Sequence, residues 1–384
     1  MKNKNIMHIT AVTEVTPVGQ KCLEVVVEYK EAIDENSLDC ETYAVKDRNI
    51  KGVTVAGNEV HIRLDENDEK AMTYHPGMPW QGKEAYLEEA AVSLVQVKDI
   101  KTAAGNIIEA FEEEDDSDKS FDALADLFIQ GSYGKTKYNL FVPRNYDPGK
   151  KYPLIQFIHD ASACGEDTRL AITQGLGALV WVGEEEQAKH ECFVYAPQFS
   201  GSPIVDDDWN VSPKLEDAKA ALDNIIETYS IDKNRIYTTG QSMGCMSSIV
   251  LNVRYPDFFA ASFLVAGQWD DRAIAGLEKQ RLWMLCSQGD AKAFPIMNQM
   301  GVRMEEAGAK IARRVMENGL SQEEYYKIKE EVTRDNPNVI YTPYKLETVA
   351  DGWSSNGGMH HVSTWKTAYS INAIHDWLFE QKRG

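Results

Sequence analysis

Arg235-Ile236-Tyr237-Thr238-Thr239-Gly240-Gln241-Ser242-Met243-Gly244 decides how this chain is read. A β-type run enters a Gly-x-Ser-x-Gly turn, and a helical run, Ser247 to Arg254, leaves it. A sharp strand-to-helix turn needs small residues on both sides of the serine, which relieve crowding and lift the hydroxyl into the open. The backbone N–H of Met243 then faces outward at a helix N-terminus, where developing negative charge is favoured. Without its context the five-residue pattern is a common glycine-rich turn; between strand and helix it predicts that Ser242 is a nucleophile.

A serine hydroxyl is a poor nucleophile at neutral pH, so a histidine base is required, with a carboxylate holding its tautomer. The strand-turn-helix context implies the chain order serine, acid, histidine. Asp290 follows the apolar run Leu282 to Ser287 through a turn, where a strand-end loop presents a carboxylate at the carboxyl edge of a sheet. It is the expected acid, with Asp270 and Asp271 in reserve after the preceding strand. Only His360, His361 and His375 follow the last strand, Val339 to Tyr344. His375 falls in the middle of a helical stretch, and His361 directly precedes the predicted final helix, Ser363 to Gln381. His361 is therefore the expected base and His360 the alternative.

Outward from this core the chain reads as two domains. From Ile9 to about Ile108 short β-type runs alternate with turn residues: Cys22 to Tyr29, Val53 to Ala56, Val60 to Leu64 and Ala91 to Val97. Period-two alternation of this kind predicts an all-β sandwich. The run Glu112 to Asp118 repels itself into extension and is read as an acidic linker, giving domains at 1–118 and 119–384. Beyond it, apolar strands alternate with helical stretches, which predicts an α/β fold with a mainly parallel sheet covered on both faces. Helices are expected over Leu215 to Tyr229, Pro295 to Asn318 and the charged insertion Ser321 to Asp335.

The bulk numbers narrow the function classes. With 40 basic and 60 acidic residues among 384, the formal net charge is −20, a field that repels phosphate backbones and anionic lipid. Nucleic acid and membrane are not expected partners. No run approaches the roughly 18 apolar residues needed to span a bilayer, and Met1 to Met7 is too polar for a signal peptide. A soluble protein is expected, cytoplasmic or secreted with a leader removed. The six cysteines are scattered without a CxxC pair, and His190-Glu191 lacks the second histidine of a zinc-protease motif, so no metal or other cofactor is expected.

Four stretches carry a resemblance: Tyr138-Asn139-Leu140-Phe141-Val142-Pro143, the run Pro153 to His159, Arg235 to Gly244, and Asp376-Trp377-Leu378-Phe379. Together they resemble bacterial serine esterases related to polyhydroxybutyrate depolymerases and feruloyl esterases, a group often labelled prolyl-oligopeptidase-like. The resemblance implies an α/β-hydrolase fold behind a small immunoglobulin-like domain, and carboxylic ester hydrolysis through a Ser242, His361, Asp290 triad and an acyl-enzyme. A prolyl-oligopeptidase-type peptidase is the first alternative, although about 110 residues are too few for a substrate-screening propeller. A catalytically weak binding protein is the second. One departure stands out: such enzymes usually read His-Gly after the third strand, whereas this chain has His159-Asp160. A carboxylate there either crowds and opposes the oxyanion or turns away to bind backbone amides. Ala161 is the expected second oxyanion N–H donor beside Met243.

Tryptophans crowd the segments expected around the serine: Trp181, Trp209, Trp269, Trp353 and Trp365. Trp209 and Trp353 are the expected pocket residues for an acyl or aryl group, with His159 and Gln241 as further substrate contacts. The expected partner is a small-molecule or polysaccharide-linked ester. The sandwich is expected to serve self-association as a homo-oligomer or to wall the active-site mouth.

Overall fold

The computed structural model describes residues 3–350 and 357–384. The chain divides into two compact units, Met1–His75 with Leu87–Asp126, and Pro76–Tyr86 with Leu127–Gly384. In the first unit the strands Ile6–Thr16 and Gly19–Tyr29 pair antiparallel, and Glu59–Leu64, Ile50–Ala56 and Lys119–Asp122 complete their sheet. Phe111–Asp116, Ser93–Gln96 and Tyr43–Val45 form a second sheet. Alternate residues of each strand point inward, so Val25, Val27, Val60, Ile62 and Leu94 are buried in one apolar cluster. Tyr29 enters the same cluster and its hydroxyl donates to Gln96 Oε1 at 3.0 Å, which satisfies a polar group the core would otherwise strand.

The acidic run is not a linker. Phe111–Asp116 is a strand hydrogen-bonded to Ser93–Gln96. Its glutamates face water, whereas Asp115 is buried and accepts the Asn3 N–H at 2.9 Å. Three glutamates in a row cannot share one pleated face; the ladder shifts register between Phe111 and Asp115, so residues 112–114 bulge outward from an edge strand, where charge is tolerated. Cys22 is buried and Cys40 exposed, both as free thiols.

The second unit is built, among the described residues, on a nine-stranded sheet. Its strands in chain order are β1 (Ile129–Tyr133), β2 (Thr136–Phe141), β3 (Tyr152–Ile158), β4 (Phe193–Gln198), β5 (Ile231–Gln241), β6 (Ala261–Val265), β7 (Leu282–Leu285), β8 (Ile311–Arg313) and β9 (Val339–Tyr341). Across the sheet they run β1-β2-β4-β3-β5-β6-β7-β9-β8; the β1–β2 and β2–β4 pairs are antiparallel and the rest parallel. β3 and β6 are buried at every residue, as strands covered on both faces must be.

Helices α1 (Leu170–Thr173), α2 (Glu184–Lys189), α3 (Lys214–Thr228), α4 (Met243–Arg254), α5 (Ala293–Glu306), α6 (Gln322–Thr333), α7 (Gly357–Ala368) and α8 (Asn372–Glu380) accompany the sheet. The predicted helix from Pro295 to Asn318 stops earlier, because Gly308 at φ +103° turns the chain into β8. The predicted final helix is two, α7 and α8. The charged insertion forms α6, opened by a capping box between Ser321 and Glu324. It is tied to α8 through Tyr326 to Asp376 at 2.7 Å and Lys329 to Glu380 at 2.6 Å. No helix among the described residues is long and apolar enough to cross a membrane.

Candidate active site

β5 ends at Gln241 and α4 begins at Met243, leaving Ser242 alone at the bend with φ +51° and ψ −118°. A non-glycine residue there is strained by roughly 1–3 kcal/mol, and such strain persists only where the surroundings enforce it. They do. A Cβ on Gly240 would stand 2.6 Å from the Ile158 carbonyl oxygen, so β5 and β3 approach more closely than any side chain allows. The Ser242 N–H is held by the Val265 carbonyl at 3.1 Å. Met243 is the first residue of α4, and the first N–H groups of a helix have no intrahelical partner.

The structure brings the three expected residues together. His361 Nε2 lies 2.9 Å from Ser242 Oγ, and His361 Nδ1 lies 2.5 Å from Asp290 Oδ2. Asp290 is buried, and its other oxygen accepts the N–H groups of Ala293 at 2.9 Å and Lys292 at 3.0 Å. Burial alone would raise the Asp290 carboxyl, but the hydrogen bond and charge of His361 and these two N–H groups outweigh it and hold the carboxyl below its ordinary value. The carboxylate therefore stays ionised against His361. Asp270 and Asp271 are engaged elsewhere, with Arg272 and Arg303 respectively. His375 is buried, bonded to the Tyr369 carbonyl and to Glu186. His360 bonds to Ser287 Oγ at 3.1 Å.

Asp160 takes the second of its two expected postures. Its Oδ1 accepts from the Ser162 N–H at 2.7 Å, capping the short turn Ala161–Ala163, and its Oδ2 accepts from Gln241 Nε2 at 3.0 Å. Both oxygens are taken up by donors, and Ala161 opens the turn that they hold. The two residues expected as further substrate contacts take part in the same turn. Gln241 is buried and spends its amide N–H on Asp160. His159 is fully buried; Nδ1–H donates to the Asp160 carbonyl at 2.7 Å and Nε2 accepts the Phe199 N–H at 3.1 Å. Burial lowers the His159 pKa, keeping neutral a ring that must also accept a backbone N–H. Both side chains build the turn beside the serine; Gln241 Nε2 also lies 3.4 Å from Gln174 Oε1, and Gln241 Oε1 is a buried acceptor with no hydrogen-bond partner among the described residues.

Among the tryptophans, Trp181 is fully buried beside His375. Trp209 is half-buried at φ +65° in a loop closed by a Val205–Val211 bridge, and its ring meets Trp269 edge-on at 5.5 Å. That loop reaches the elbow, with the Ile204 N–H 3.4 Å from Met243 Sδ. Trp353 lies outside the described residues. Trp365, which the sequence reading gave no role, packs its edge against His361 at 5.0 Å. The signal was the four-residue spacing between 361 and 365, legible only if α7 is started before His361.

Residues 8–109 match the family described as the esterase Ig-like N-terminal domain. No curated protein matches the chain in sequence. Among solved structures, a thermostable esterase superposes with a TM-score of 0.82 at 24% identity, over 98% of this chain and 100% of that one. The feruloyl esterase module from Clostridium thermocellum complexed with sinapinate aligns with a TM-score of 0.41 at 14% identity, over 62% of this chain and 86% of that one. An acetyl xylan esterase from Aspergillus awamori aligns with a TM-score of 0.34 at 14% identity, over 47% and 80%. The first likeness, with the domain match, identifies the fold as an α/β-hydrolase behind an immunoglobulin-like sandwich.

Proposed function

We propose that the chain is a serine carboxylesterase acting on short-chain or aryl esters. The observation that carries this reading is the continuous hydrogen-bond chain from Ser242 Oγ through His361 to buried Asp290, set on a strained strand-to-helix turn. His361 Nε2 takes the Ser242 proton as Oγ attacks the ester carbonyl. The N–H groups of Met243 and Ala161 receive the oxyanion, where preorganised donors lower the barrier most. The same imidazole returns the proton to the departing alcohol, then activates the water that frees the acyl group. Asp290, ionised and triply bonded, holds the imidazole in the tautomer this sequence needs. The half-buried Trp209 ring, on the loop that reaches the elbow and backed by buried Trp269, is the aromatic surface we assign to an acyl or aryl group, free or carried on a polysaccharide.

The test is turnover of a p-nitrophenyl ester series, acetate to octanoate, with a cinnamoyl ester added. The wild type hydrolyses the shorter or aryl members and Ser242→Ala abolishes this. A wild type that turns over none of them, while folding normally, overturns the reading in favour of a peptidase or a binding protein.

A further inference from the structure

We propose that His360, through Ser287, is the positioning residue that fastens the loop carrying the acid to the helix carrying the base. The proposal rests on the esterase reading above and assigns a role to a side chain that takes no part in the chemistry. His360 and Ser287 are both fully buried, and the His360 Nδ1 to Ser287 Oγ distance is 3.1 Å. Ser287 Oγ also accepts the Gly289 N–H at 3.1 Å, and the Asp290 N–H returns to the Ser287 carbonyl at 3.0 Å. Ser287 is thus the pivot of the tight turn that aims Asp290.

The turn is gripped from two sides. On the sheet side Ser287 bridges Tyr344, and the Gln288 N–H donates to the Tyr344 carbonyl at 2.9 Å. On the helix side the His360 ring lies flush on the main chain of Gly289, where a Cβ would come within 2.4 Å of the imidazole. One turn earlier, Gly357 abuts Ala291, with 2.6 Å between its would-be Cβ and the Ala291 Cβ. Residues 357, 360 and 361 of α7 therefore meet 291, 289 and 290 in turn. The contact between Asp290 and His361 is the third of three, and the only one of them that reaches Ser242. Removing the His360 ring opens a void under Gly289 and takes a partner from a buried hydroxyl, so the turn loses the support that fixes Asp290.

The experiment compares His360→Ala, His360→Asn and His360→Ala/Ser287→Ala with the wild type by ester kinetics, thermal melts and proton NMR. His360→Ala is expected to lower kcat by about 10- to 100-fold, the range for a side chain one contact removed from the reacting groups and well short of the loss expected for Asp290→Asn, with KM within about twofold. His360→Asn, whose amide nitrogen stands near the Nδ1 position, restores most of the loss. Adding Ser287→Ala to His360→Ala costs little more, because both act through one contact. In the NMR spectrum the downfield proton of the His361–Asp290 hydrogen bond, present in the wild type and in Ser242→Ala, broadens away in His360→Ala while the folded dispersion remains. An unchanged kcat in His360→Ala, no recovery with Asn, or a loss of rate that only follows the loss of folded protein overturns the proposal. The proton judges the latch even if the wild type hydrolyses no ester, so a failed latch and a failed esterase reading are told apart.

Discussion

Gly244 lies so close to β3 that a Cβ placed on it would be 1.9 Å from the carbonyl oxygen of Ile158. No rotation relieves this, because the obstacle is backbone. Gly244→Ala must push β3 from β5 or unwind the first turn of α4. It is expected to lower the denaturation midpoint by an amount equivalent to about 3 kcal/mol or more, the upper range for overpacking. Gly52→Ala, where nothing stands within 4 Å of a new Cβ, is the control and shifts stability by less than about 1 kcal/mol.

Asp290→Asn keeps the shape of the acid and removes its charge. The amide accepts the Ala293 and Lys292 N–H groups less well and no longer enforces the Nδ1–H tautomer of His361. A fall in kcat of about 10⁴-fold with little change in KM is expected, as for other triads that lose the carboxylate. Steady-state kinetics on p-nitrophenyl butyrate decide it, and a loss smaller than about tenfold would remove Asp290 from the reacting set.

Asp160→Ala tests what the carboxylate beside the oxyanion turn does. If it is the cap and brace described above, its removal frees the Ser162 N–H and Gln241 Nε2, costs about 1–3 kcal/mol of stability and lowers kcat. If its charge instead opposes the oxyanion, the variant is faster than the wild type. Melting temperature and kcat measured on the same preparation give the sign.

Trp209→Ala should act on substrate choice more than on rate. Loss of the Trp209 ring from its edge contact with Trp269 is expected to raise KM by about tenfold for octanoate and cinnamoyl esters and to leave acetate nearly unaffected. An unchanged chain-length profile would place the acyl group elsewhere.

Glu186 supplies a pH dependence remote from the serine. Burial opposes its charge, but hydrogen bonds from His190 at 2.8 Å and His375 at 3.2 Å prevail and pull its pKa down to about 2. A carboxyl lowered by folding stabilises the native state above its unfolded value of about 4.3, and that contribution is lost as pH falls toward the folded value. The wild type is therefore more stable than Glu186→Gln by on the order of 2–3 kcal/mol at pH 6, a gap that closes between about pH 4 and pH 2. Urea titrations at pH 6 and pH 3 measure it; a gap of the same size at both would exclude the carboxylate charge as its source.

The sequence made most legible what is enforced by short-range chemistry. The glycines around Ser242 announced the bend, and chain order with strand-end placement favoured Asp290 over Asp270 and Asp271 and His361 over His360, the acid and base following β7 and β9, which are neighbours in the sheet. Period-two runs located the sandwich. Where reading failed, distant packing had overridden local composition. The glutamates at 112–114 look like a connector unless the partner strand Ser93–Gln96 is known. His159 and Gln241 sit at positions that suggest substrate contact, but their hydrogen bonds run to Phe199 and Asp160, about 40 and 80 residues away in the chain. α7 begins at Gly357, ahead of the predicted Ser363, and only that earlier start sets Trp365 one turn beyond His361 and brings His360 to Ser287.

The unequal burial of three histidines also makes them chemically distinguishable. His159 and His360 are fully enclosed, whereas the His361 side chain keeps 23% of its surface open to solvent. A histidine-acylating reagent meets these rings as two sealed and one accessible, although 360 and 361 are neighbours in the chain. Fragment-ion mapping of the native protein would thus find His361 modified and its neighbour His360 not, and a bulky ester seated at Ser242 would shield His361 while His8, His61 and His75 still react.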